Sequence, residues 1–164
     1  MKKYIYINLM MALMCVVSLS YSSCSSSDDE STKDMTQPVI TDKGITANPI
    51  DCQVYQRGET IPFHYVFTDD TELGNFNIEI HNNFDHHTHS TSSVECPMDA
   101  QKQPQSPWVY NRDYTIPAAQ RQYDARVDIP IPADIDPGDY HFMVRLTDRA
   151  GWQQLKAVAI KIVE

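Results

Sequence analysis

Asp136-Pro137-Gly138-Asp139-Tyr140-His141-Phe142-Met143-Val144-Arg145-Leu146-Thr147-Asp148-Arg149-Ala150-Gly151 decides the fold. Tyr140, Phe142, Val144 and Leu146 alternate with His141, Met143, Arg145 and Thr147, and turn residues bracket the run. An extended chain points successive side chains to opposite faces, so this alternation marks a strand with one face on a core. Working outward, Val158, Ile160 and Ile162 repeat the pattern, as do Phe76, Ile78 and Ile80, and Ile61, Phe63, Tyr65 and Phe67. Pro62 cannot donate to a sheet ladder, so it is expected at an edge or a bulge. Gly44, Gly58, Gly74, Gly138 and Gly151 all fall at breaks, and 10 prolines leave little room for a long helix. The expected fold is all-β, an antiparallel sandwich of about seven short strands.

The quoted stretch together with the last strand, which holds Val158, Ile160 and Ile162, resembles the F and G strands of immunoglobulin-like domains in bacterial surface proteins. The resemblance makes Tyr140 a tyrosine corner whose hydroxyl bonds back to nearby backbone. Phe142 stands where antibody domains carry a cysteine, so the usual bridge between strands B and F is excluded. From Cys52 onward the chain is similar to a family of small bacterial surface lipoproteins with an immunoglobulin-like domain and no assigned function. Two segments carry that likeness: Phe63-His64-Tyr65-Val66-Phe67-Thr68-Asp69-Asp70 and Ile80-His81-Asn82-Asn83-Phe84-Asp85-His86-His87-Thr88-His89. It implies fold and location but no activity.

The start of the chain reads as an address. Lys2 and Lys3 precede a mostly apolar run to Leu19, then Tyr21-Ser22-Ser23-Cys24. A basic start, a short apolar stretch and small residues mark a secretory signal over 1–23. Ser22-Ser23-Cys24 resembles a lipobox, which makes Cys24 the lipidated first residue of the mature protein, although Tyr21 departs from the usual small aliphatic residue. Ser25-Ser26-Ser27-Asp28-Asp29-Glu30 resembles the export tag of surface-exposed lipoproteins; a periplasm-facing linker is the alternative. Residues 24–37 are too polar to bury anything and are expected to form a flexible tether, with the domain at 38–164. The expected location is the outer membrane, reached through the lipid anchor.

The 164 residues carry a net charge of −9. Loss of the leader removes two lysines and no acid, giving −11. Such a chain lacks the basic footprint that phosphate backbones require, so no nucleic-acid partner is expected. Of four cysteines, Cys52 and Cys96 remain once the leader and Cys24 are set aside. In an oxidising compartment they are expected to pair. Free thiols, or Cys96 as a metal ligand, are the alternatives.

Four of six histidines, His81, His86, His87 and His89, lie within nine residues. Imidazole is the commonest protein metal ligand at neutral pH, and His87-Thr88-His89 can chelate one ion from an extended segment. Strand parity adds His141. If Phe76, Ile78 and Ile80 face the core, Glu79 and His81 face outward; by the same rule His141 faces outward. In an immunoglobulin-like sandwich these two strands are neighbours. The expected site is His81, His87, His89 and His141 around one ion, with Asp85 or Glu79 in support. The ligand set suits zinc, nickel or Cu(II), of which zinc or copper is expected, and sulfur from Cys96 or Met98 would favour copper. A solvated or partner-contacting loop is the competing reading.

Asp69-Asp70 and Asp148 read as turn formers, with calcium binding as the alternative. Trp108, Tyr110 and Tyr114 read as core residues rather than a sugar platform. No nucleophile elbow, zincin motif or phosphate loop is present, so no enzyme is expected. Two functions stand: a surface lipoprotein binding a transition metal, with an outer-membrane transporter as partner, or a structural module that contacts a glycan or protein without metal.

Overall fold

A computed structural model describes residues 33–89 and 91–164. The leader, Cys24 and the tether up to residue 32 lie outside the described residues.

Eight strands follow in order: β1 (Val39–Thr41), β2 (Gln53–Gln56), β3 (Thr60–Thr68), β4 (Leu73–Asn82), β5 (Tyr110–Thr115), β6 (Gln122–Pro130), β7 (Gly138–Asp148) and β8 (Gln153–Val163). They form a sheet ordered β1-β3-β6 and a second ordered β2-β8-β7-β4-β5. Their apolar faces meet in one core, and no helix occurs among the described residues. The strand order is that of an immunoglobulin-like sandwich, with β3 and β7 in the places of B and F. It differs from expectation in two respects. There are eight strands, and β2 runs parallel to β8. The chain crosses from the small sheet to the large one between β1 and β2, so β2 joins the outer edge of the last strand running the same way.

Alternation predicts the faces. Ile61, Phe63, Tyr65 and Phe67 of β3 are buried, as are Phe76, Ile78 and Ile80 of β4 and Tyr140, Phe142, Val144 and Leu146 of β7. Phe63 stacks on Phe142 with ring centres 5.8 Å apart and on Phe76 at 6.1 Å. A packed aromatic pair therefore spans the sheets where antibody domains place a disulfide. Trp108 is buried and Tyr110 and Tyr114 pack against the core, as expected. His64 exchanges backbone hydrogen bonds with Asn48. Pro62, two residues earlier, faces the same flank, beyond the three pairs that β1 makes, so its missing N–H interrupts no ladder.

Gly74 sits at the β4 bulge. A Cβ there would lie 2.8 Å from the backbone oxygens of both Thr147 and Asp148. Only glycine allows that approach.

The Tyr140 hydroxyl donates to the Asp136 carbonyl at 2.6 Å and accepts from the Trp108 N–H at 3.3 Å. This is the expected tyrosine corner, and it ties β7 to the segment entering β5. Tyr140→Phe removes both bonds and leaves the buried Trp108 N–H and the half-buried Asp136 carbonyl without that partner. The expected loss is about 1–2 kcal/mol, read as a lower urea midpoint at unchanged m-value.

Candidate metal centre

β4 and β7 are antiparallel neighbours, and His81 pairs with His141. Both point to the outer face, as parity requires. What turns a pair into a cluster is the 27-residue connection from β4 to β5, residues 83–109. It folds back over that face. Asn83 N–H bonds Asp139 O at 2.8 Å, and His86 adopts φ 62°, which reverses the chain. Thr91 then clips onto β8: its hydroxyl oxygen accepts from Ala157 N–H at 2.9 Å and lies 3.2 Å from Ala157 O. Further on, Cys96 is bonded to Cys52 beside β2, with Cα atoms 5.2 Å apart. Lys161 lies 2.7 Å from Asp99 and 3.3 Å from Asp139.

This path sets His87 and His89 above His81 and His141. The six ring-centre separations among the four imidazoles run from 4.9 to 5.5 Å. Around one tetrahedral ion with nitrogen bonds of about 2.1 Å, imidazole centres sit about 5.2 Å apart and ligating nitrogens about 3.4 Å apart. Nε2 of His81 and Nε2 of His87 are 3.3 Å apart. One nitrogen from each of His81, His87 and His89 lies within 4.8 Å of the others.

His141 departs from the expected equal role. Its Nε2 donates to the His87 carbonyl at 3.0 Å. It thus forms a fourth wall of the cluster, buried at 4% exposure, while three histidines offer converging nitrogens. The reason is local: the loop that brings His87 also lays its carbonyl over β7.

The outer ring nitrogens meet carboxylates. Nδ1 of His87 bonds Asp85 Oδ1. Nδ1 of His81 lies 3.1 Å from Glu79 Oε1, in a direction outside hydrogen-bond geometry. A carboxylate behind a ligating imidazole fixes its tautomer and raises its basicity. Burial pushes the His81 pKa below the usual histidine value, aided by His87 and His89 and opposed by Glu79. Burial likewise lowers His141. Both shifts favour the neutral ring, the form that a metal takes up. The hydrogen bond to His87 holds the Asp85 carboxyl below the usual range.

Cys96 is in the disulfide, so it is not a ligand, and the alternative that gave it a metal falls. Met98 is exposed, with its sulfur beside the Asn83 amide. The donor set is nitrogen backed by carboxylate. His86 turns away to the Asp99 carbonyl at 3.0 Å. Sequence reasoning missed a cavity of about 560 Å³ that opens beside His87, His89 and His141 and is lined also by Val54, Met98 and Ile160. Its walls come from the loop and from β2, β7 and β8. No periodic signal marks a loop's landing place.

Fold and site together define an all-β sandwich domain with a histidine cluster on the outer face of its larger sheet. The chain belongs to a family described as a domain of unknown function, DUF4625, which matches residues 22–163. No curated protein matches it.

Proposed function

We propose that this chain is a lipoprotein anchored in the outer membrane through Cys24, whose sandwich is a non-catalytic receptor for one transition-metal ion. His81, His87 and His89 are the ligands. His141 supplies the fourth position after a rotation that gives up its bond to His87. Asp85 and Glu79 orient the rings. The observation that carries the reading is the near-tetrahedral spacing of four imidazoles drawn from two strands and a pinned loop. That spacing favours zinc over Cu(II), which prefers tetragonal ligands. A surface location fits a receptor that passes its ion to an outer-membrane transporter.

The cavity beside the cluster supports a second reading, a module that seats a glycan or protein segment without metal. Elemental analysis and zinc calorimetry on tag-free protein separate the two. One equivalent of zinc per chain is expected. Absence of any metal, with no heat on zinc addition, leaves the cavity reading.

A further inference from the structure

Three aspartates far apart in sequence meet at the opposite end of β7 from the histidines. Asp34 precedes β1, Asp69 lies in the β3–β4 turn, and Asp148 closes β7. A carboxylate oxygen of each lies within 4.8 Å of the others. In each, Oδ1 is occupied. Asp34 Oδ1 accepts from Thr36 N–H and Oγ1, both at 3.0 Å. Asp69 Oδ1 accepts from Thr71 N–H at 2.9 Å and Glu72 N–H at 2.8 Å. Asp148 Oδ1 accepts from Gly151 N–H at 2.6 Å and Trp152 N–H at 2.8 Å.

These bonds account for the turns, and the neutral amide of asparagine would make them equally well. They leave Oδ2 of all three residues buried with no hydrogen-bond partner. Asp148 as a whole is only 4% exposed. Among the described residues, none of the three carboxylates is in an ion pair. Buried carboxylate oxygens without donors are costly, and three like charges this close repel. A cation among them removes both penalties.

We propose that Asp34, Asp69 and Asp148 hold a calcium ion that clasps the end of the tether to the sandwich. The donors are hard oxygens with no nitrogen or sulfur, the set calcium takes with bonds of about 2.3–2.6 Å. The clasp has a second strand: the Trp152 indole N–H donates to the Asp34 carbonyl at 3.0 Å. This site is independent of the histidines.

The test is calcium calorimetry on the processed full-length protein after chelator treatment, with Trp152-sensitised terbium luminescence as a second readout. One calcium per chain is expected, with a dissociation constant between about 10⁻⁶ and 10⁻³ M. Asp148→Asn keeps the turn acceptor, and Asp34→Asn lies outside the sandwich. Each is expected to weaken calcium by at least tenfold without lowering the melting temperature in chelator. Calcium is also expected to slow tryptic cleavage after Lys33 in the parent chain but not in Asp34→Asn. The His81→Ala, His87→Ala double variant should bind calcium normally. No calcium binding at 10 mM by the parent chain, or parental affinity in both Asp variants, overturns the proposal.

Discussion

Combining His81→Ala with His87→Ala is expected to weaken zinc binding by on the order of 10³-fold or more. A full structural zinc site is worth about 10–16 kcal/mol, so each of its ligands carries about 3 kcal/mol, and two of the three converging nitrogens are lost. Their Nε2 atoms are 3.3 Å apart, and the double variant removes both. Neither side chain belongs to the core, and the metal-free melting temperature should stay near that of the parent. A graded variant checks the same geometry. Asp85→Asn leaves every ligand in place but withdraws the carboxylate behind His87, and losses of about 10- to 100-fold are expected for such outer partners. Calorimetry on both variants reads the series. Unchanged affinity in the double variant would make the cluster a solvated or partner-contacting loop.

Replacing Cys52 and Cys96 with serine is expected to cost as much as about 4 kcal/mol of stability, from the loop closure restored to the unfolded chain. The cysteines are 44 residues apart in sequence. A second effect is more informative. The bridge ties down the loop that presents His87 and His89, and without it zinc must order that loop on binding. Zinc affinity should fall about tenfold, at a cost of roughly one ordered residue, while the urea midpoint falls separately. If stability drops and zinc affinity does not, then Thr91 on Ala157 and Lys161 on Asp99 hold the loop unaided.

Much of this was legible in the residues. Period-two alternation locates β3, β4, β7 and β8 and assigns their faces, because each strand has one side on the core. The His81–His141 pair follows from the same parity once β4 and β7 are taken as neighbours. Tyr140 declares its corner through the Asp136-Pro137-Gly138 turn before it. The Cys52–Cys96 bridge follows from counting. Other features had no local signature. β5 is polar on most positions because it is an edge, and β2 is only four residues long. The route of residues 83–109 depends on side chains of β7 and β8 that are remote in sequence, so neither the cavity nor the role of His141 as hydrogen-bond donor was legible. Residues up to about Gln37 are expected to make few contacts with the domain; among the described ones, Asp34 bonds Trp152 and approaches Asp69 and Asp148, contacts across more than thirty residues of chain that no local signal marks.

β5 forms one border of the larger sheet, with no strand paired beyond it among the described residues. A bare border of N–H and C=O groups invites another copy to add a strand, the first step of aggregation. Asn111, Arg112 and Asp113 are all exposed there, and charged side chains on an edge strand, which lose solvation when a second strand is added, blunt it as a template. The opposite border is short, parallel-paired and flanked by the disulfide. Both borders of the larger sheet therefore carry features that oppose strand addition by a second copy. Arg112→Val with Asp113→Val would remove that safeguard while leaving the core untouched.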